Sequence, residues 1–221
     1  MSTPVHRTAP GASYFVTTRC WQGRAVFQVR EIAEILVQTI FDYRDSGAYL
    51  LHEFVIMPNH LHLLLTPGRE TSLEKAIQLI KGGSSHRIHR ARGQKMEIWQ
   101  LGFHDWTIRD SEDWYAKVGY IQMNPVRAGL VAEPQDWAHS SASGRFKLDM
   151  APERYLRVTS GAKAPEMTKR VAQGLKPLPP KEGEKSGGAL IPHGLRPVVG
   201  RPPNVGPKGP TPGAVTKEQD S

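Results

Sequence analysis

The chain has 221 residues, 29 Lys+Arg against 21 Asp+Glu and a formal net charge of +8. That length allows one domain with a substantial core plus a remainder, and leaves too little for two full domains, while the basic balance favours polyanionic partners such as nucleic acid. The single cysteine, Cys20, excludes an internal disulfide framework and any cysteine-only metal site, so a reducing, cytoplasmic setting is expected, with Cys20 itself a small buried hydrophobe.

No apolar run approaches the roughly 18–20 residues that a membrane span needs, and "MSTPVHRTAPGAS" lacks the apolar centre of a secretory signal. The charge is uneven: residues 1–150 hold 17 Lys+Arg against 15 Asp+Glu, and residues 151–221 hold 12 against 6. A DNA-binding argument for the first segment therefore rests on local clusters. One such cluster is Lys81, Arg87, Arg90, Arg92 and Lys95, with no acid between residues 81 and 95.

In chain order, "SYFVTTRC" from Ser13 is rich in aromatic and β-branched residues and predicts a half-buried strand. "VREIAEILVQTIFDYRDSG" spaces Ile32, Leu36, Ile40 and Tyr43 by three or four and closes on Gly47, the pattern of an amphipathic helix with a glycine stop. "AYLLHEFVIMPNHLHLLLTP" predicts a hairpin turning at Met57-Pro58-Asn59. A second helix is expected from a Thr71 or Ser72 cap, with Glu74 able to close a capping box on Thr71, until Gly82 and Gly83 interrupt it. The basic stretch "SSHRIHRARGQK" beyond them fits either more helix or a loop. "IWQLGFHDWTIRD" has extended character, with Phe103, Trp106 and Ile108 as packing residues. "SEDWYAKVGYIQMNP" opens on a Ser111 or Asp110 cap with acids in its first turn, and Pro125 is expected to stop the helix near Asn124.

From residue 160 onward 21 of 62 residues are Gly or Pro. Such a composition buries too little apolar surface to offset its ordering entropy, so the domain is expected to span 1–150 and a disordered basic tail 151–221. The sketch is an α+β sandwich, an antiparallel sheet with helices packed on it. Strand order is not legible at this level.

The chemistry centres on "MPNHLHLLLT". In a strand, residues two apart point the same way, so His60 and His62 leave one face and Leu61, Leu63 and Leu65 the other. Two imidazoles side by side suit a divalent transition ion, with Mg²⁺ fitting if oxygens complete the shell. The same spacing also fits two strand histidines without a ligand. Tyr120 and Asn124, four apart, share a helical face; packing of the tyrosine and simple capping by the asparagine are the plain alternatives. Arg109 and Arg127 fit surface ion pairs as well as phosphate contacts. Trp99, Trp106 and Trp114 are expected mostly as packing residues rather than as base-stacking platforms, "DWAHSS" as structural closure, and His139 as a non-ligand.

The ordered set "YFVTTRC", "FVIMPNHLHLLLTP", "GFHDWTIRD", "YIQMNPVRAGLV" and "DWAHSS" resembles the HUH-type single-tyrosine transposases, in the branch associated with repetitive extragenic palindromes. The resemblance covers about residues 12–147. It implies a ferredoxin-like HUH endonuclease sandwich in which His60, His62 and Asn124 bind a divalent ion, Mg²⁺ or Mn²⁺, and Tyr120 is the nucleophile. It further implies a DNA nicking and strand-transfer enzyme working on single-stranded or hairpin DNA through a 5′-phosphotyrosine, as a monomer or homodimer. A non-catalytic hairpin DNA or RNA binder on the same scaffold, and a metal phosphodiesterase in which water attacks, are the competing readings. Two positions depart from the family pattern: Gln122 stands where relatives often carry His, and His89 where an Asn is common.

Overall fold

The computed structural model describes residues 8–156. Its strands are β1 (Tyr14–Arg19), β2 (Tyr49–Met57), β3 (His60–Pro67) and β4 (His104–Thr107), and its helices α1 (Arg30–Asp45), α2 (Leu73–Arg92), α3 (Ser111–Gln122) and the one-turn α4 (Asn124–Arg127) and α5 (Glu153–Leu156). The strands form one antiparallel sheet in the order β2-β3-β1-β4. With α1 and α2 as the two crossovers, this βαββαβ order is the ferredoxin-like arrangement.

α1 buries Ile32, Ala33, Leu36, Val37 and Ile40, the stripe that the spacing predicts. It ends as expected at Gly47, whose φ of 81° lets its N–H reach the Arg44 carbonyl. β2 and β3 close through Pro58 and Asn59, with Met57 paired to His60. The turn is held from outside, because the Asn59 and Pro58 carbonyls accept the Cys20 and Phe27 N–H groups, both at 2.9 Å. Cys20 is buried, as expected, which pushes its thiol up to about 12.

α2 starts on Ser72, one of the two expected caps, whose hydroxyl accepts from Lys75 N at 3.2 Å, and it differs from expectation by running unbroken through Gly82 and Gly83 to Gly93. Two mid-helix glycines cost about 1 kcal/mol each relative to alanine. Burial of Ala76, Ile77, Ile80, Ser84 and Ile88 on one side offsets that cost. Gly83 is there for clearance: a Cβ would lie 2.7 Å from the ring of Tyr43 on α1. α3 starts on the Asp110 cap, which accepts from Asp113 N at 2.9 Å. Pro125 ends it at Gln122, but the chain stays helical at Met123 and restarts as α4, so Asn124 sits at a junction rather than at a stop.

Two cores flank the sheet. One joins α1 and α2 to Val16, Leu51, Phe54, Ile56, Leu61, Leu63 and Leu65. The other joins Trp114, Ile121 and Tyr155 to Val55, Met57 and Leu64. Past α4 the chain covers the outer edge of β2, as expected for "DWAHSS": Ile56 N donates to the His139 carbonyl and Trp137 Nε1 to the Ile56 carbonyl, each at 2.9 Å. Asp149 then pins the segment, accepting from Leu51 N at 2.8 Å and from two nitrogens of Arg44 at 2.8 Å. Packing continues beyond residue 150, since Tyr155 is buried and stacks on Trp114 with ring centroids 4.9 Å apart. The expected tail, from residue 157 on, lies outside the described residues. Among the described residues no helix is long and apolar enough to cross a membrane.

Candidate active site

The site follows from strand register. β1 pairs with β3 so that Thr17 faces His62 and Arg19 faces His60, which puts Phe15, Thr17, Arg19, His60 and His62 on one face of the sheet. The two imidazole centroids are 4.7 Å apart. α3 crosses this face and sets Tyr120 with its ring 5.2 Å from that of His62 and 5.6 Å from that of Phe15. Phe15 also stacks on His62 at 5.3 Å. His62 is thereby 4% exposed, whereas Tyr120 keeps 38% of its surface in solvent. One turn on, the Asn124 side chain reaches His60. The four residues singled out in the sequence, His60, His62, Tyr120 and Asn124, therefore meet in one place.

Burial, helped by the nearby charge of Arg19, holds His60 down to about 4. Burial, then His60, Arg19 and Lys117, keeps His62 well below the usual imidazole range. Both rings are neutral at pH 7 and offer lone pairs. Which nitrogen is offered is set by neighbours: the Asn59 side-chain Oδ1 lies 2.7 Å from His60 Nδ1 and accepts its N–H, leaving Nε2 as the nitrogen with the lone pair. Thr17 Oγ1 sits 2.8 Å from His62 Nδ1 and does the same when it accepts. Such outer partners are what orient imidazole ligands in metal sites. Among the described residues no group of three or more His, Cys, Asp or Glu converges, and a side-chain oxygen that stands to hand beside the two histidines is that of the Asn124 amide. Two imidazoles and an amide oxygen fit a divalent ion of borderline softness.

The basic residues separate into two groups. Lys81 turns inward and donates to the Gln100 and Gly102 carbonyls at 2.6 and 2.7 Å. Arg87 pairs with Asp42 at 2.5 Å, and Arg109 with Asp113 at 2.8 Å. Arg90, Arg92 and Lys95 are exposed at the end of α2, and the Arg127 guanidinium lies over the Tyr120 ring at 5.5 Å. Trp99 and Trp114 are buried and Trp106 half-buried, and His139 meets Glu34 at 3.2 Å rather than joining the site. The two family departures are occupied internally: Gln122 donates to Glu53 at 3.2 Å, and His89 Nε2 lies 2.7 Å from the Met96 carbonyl.

Sequence reasoning passed over Phe15, Thr17, Arg19, Asn59, Lys117 and Glu53. Phe15, Thr17 and Arg19 alternate in "YFVTTRC" with the period that one sheet face requires, but only knowledge of the β1–β3 pairing aims them at His60 and His62. Lys117, one turn before Tyr120, rests its ammonium 5.1 Å from the Phe15 ring and 4.7 Å from that of Trp106. Glu53 is half-buried beneath α3 with Ser141 and Gln122 as partners, and its removal from water raises it to about 7.

A ferredoxin-like sheet carrying a His-hydrophobic-His strand, faced by a helix tyrosine, defines the class of HUH-type single-tyrosine transposases. The family model described as "Transposase IS200 like" matches residues 11–124, a span that contains all four of these residues. The chain belongs to this family of DNA-cleaving and strand-transferring enzymes. It is 27% identical over 147 residues to the REP-associated tyrosine transposase of Escherichia coli (strain K12), covering 64% of this chain and 86% of that one. It is 30% identical over 108 residues to a putative REP-associated tyrosine transposase of Haemophilus influenzae, covering 44% of this chain and 61% of that one. A solved REP-associated tyrosine transposase bound to a REP hairpin superposes with a TM-score of 0.56 at 25% identity, over 74% of this chain and 98% of that one.

Proposed function

We infer that the protein is a metal-dependent single-stranded DNA endonuclease and strand transferase that acts beside hairpin DNA through Tyr120. The observation that carries this reading is the juxtaposition of an exposed phenol on α3 with two neutral imidazoles on β3 and the amide of Asn124. The hairpin-bound structure of a relative supports hairpin DNA as the substrate.

Tyr120 is the nucleophile. Its phenolic oxygen attacks the scissile phosphorus, the P–O(Tyr) bond forms, and the P–O3′ bond breaks. The phenolic proton passes to solvent and the departing 3′ oxygen takes one up. The products are a 5′-phosphotyrosine and a free 3′-hydroxyl, and a second 3′-hydroxyl reverses the exchange. One phosphodiester replaces another, so rejoining needs no ATP. When bound by His60, His62 and Asn124, a divalent ion such as Mg²⁺ or Mn²⁺ supplies a Lewis acid at the phosphoryl oxygens. Phe15 and the Thr17 hydroxyl hold His62 in orientation, and Asn59 holds His60. Arg90, Arg92, Lys95 and Arg127 carry the electrostatic grip on the strand, whereas Lys81, Arg87 and Arg109 are already engaged within the fold. A single chain brings Tyr120 to its own histidines, which supports a site complete in a monomer. Action on DNA in a reducing setting fits the cytoplasm.

The test is incubation of a labelled single-stranded oligonucleotide carrying a palindromic hairpin with the protein and Mn²⁺ or Mg²⁺. A covalent adduct is expected, lost in Tyr120→Phe and in His60→Ala. Hairpin binding without an adduct would identify a non-catalytic binder, and cutting by Tyr120→Phe would identify attack by water.

A further inference from the structure

Arg19 lies at the end of β1, directly across from His60, so its side chain leaves the sheet on the imidazole face. Its backbone is fixed on both sides. The Arg19 carbonyl accepts from Gln100 N at 2.9 Å, and the next residue, Cys20, donates to the Asn59 carbonyl at 2.9 Å and bridges to Trp99. The side chain is exposed, and among the described residues it makes no ion pair. Its charge nevertheless reaches both His60 and His62.

That placement is electrostatically costly. A fixed cation beside two imidazoles that are to take a divalent cation repels the ion, and nothing in β1 packing requires an arginine at an exposed strand end. The arrangement becomes favourable when an anion lies between the two positive charges. A phosphodiester is such an anion, and the flat guanidinium fork matches two of its oxygens.

We propose that Arg19 is a phosphate-binding residue of the cleavage reaction, donating from the β1 side to the non-bridging oxygens of the scissile phosphodiester while Tyr120 attacks from α3. This rests on the strand-transfer reading above. No bond forms or breaks at Arg19; it stabilises charge that grows on those oxygens as the P–O(Tyr) bond forms and the P–O3′ bond breaks. Arg44, Arg87 and Arg109 are held in ion pairs with Asp149, Asp42 and Asp113, whereas Arg127 stands over the Tyr120 ring and approaches the site from α4 rather than from the sheet.

The experiment compares the full-length protein with Arg19→Ala and Arg19→Lys in three measurements. In EDTA, binding is followed over a salt series with two probes, a palindromic DNA hairpin from the repeats of the host genome, alone and with single-stranded flanks. Arg19→Ala is expected to leave the bare hairpin unaffected and to reduce the salt slope for the flanked probe by about 0.7, one single-strand phosphate contact. In Mn²⁺, adduct formation on the flanked probe is expected to fall about a hundredfold or more, with partial recovery in Arg19→Lys, which restores charge without the fork. Mn²⁺ binding without DNA, read by electron paramagnetic resonance, is expected to be unchanged or tighter. An unchanged adduct rate, equal loss on both probes, or weakened Mn²⁺ binding would overturn the proposal, the last two by showing that Arg19 only shapes the fold. Should the wild type form no adduct at all, the strand-transfer reading fails by itself, and the salt-slope difference still decides whether Arg19 holds the flanking strand.

Discussion

The two faces of the sheet are built from alternate residues of the same strands and are opposites. Under α1 and α2, Leu61, Leu63 and Leu65 are fully buried among aliphatic neighbours. On the other face, His60, His62, Thr17 and Arg19 lie between their partners with α3 only partly above them. The closed face gives rigidity, and the half-open face spends that rigidity on holding polar side chains in fixed geometry. His62 shows how: it is as inaccessible as a core leucine, yet its neighbours are Phe15, Tyr120 and a hydroxyl. Burial keeps it neutral, which a ligand nitrogen requires.

The largest expected effect separates chemistry from stability. Tyr120→Phe removes one partly exposed hydroxyl, so adduct formation should fall by more than about a thousandfold while the urea midpoint stays within about 0.5 kcal/mol of wild type. A large stability loss would mean that the half-open face is a core like the other. The converse substitution is Leu63→Ala, one residue from His62 and facing α1 and α2, which should cost about 2–5 kcal/mol in urea unfolding. Its residual folded fraction should still form adduct.

Glu53 tests the boundary between the faces by pH. Its folded value, about 7, lies above the ordinary 4.5, so folding favours its protonated form. That contribution is complete below about 4.5 and lost as pH rises through about 7. Glu53→Gln should therefore gain on wild type between pH 5 and pH 8, reaching about 1–3 kcal/mol at the upper end. An equal difference at both pH values would show that the carboxyl is ionised throughout. The smallest effect is on the closed face: Gly82→Ala meets nothing within 4 Å and should stabilise α2 by about 0.5–1 kcal/mol, whereas Gly83→Ala meets the Tyr43 ring and should lose that gain. Chemical unfolding of both variants checks the contrast.

Much of this was readable in the residues. The α1 stripe, the Pro58-Asn59 turn, the Asp110 cap and the His60/His62 alternation are local signals, each spanning a few residues, and the structure bears them out. The glycine pair misled because glycine lowers helix propensity by the same amount whether it breaks a helix or admits a neighbouring one. Lys81 and Arg87 looked like part of a basic strip; their partners, Gln100, Gly102 and Asp42, are distant in sequence. Arg19 was silent for the same reason, since its meaning depends on which residue of β3 it faces.

The sequence by itself determined the elements, their alternation and, through the resemblance carried by its motifs, the family, because periodicity and turn chemistry are properties of neighbouring residues. Tertiary structure alone decided that α3 lies over the histidine face, which cations are consumed inside the fold, and that Arg19 stands beside His60. Those facts depend on strand register and helix placement, which are set by the summed burial of both cores rather than by any short stretch of chain.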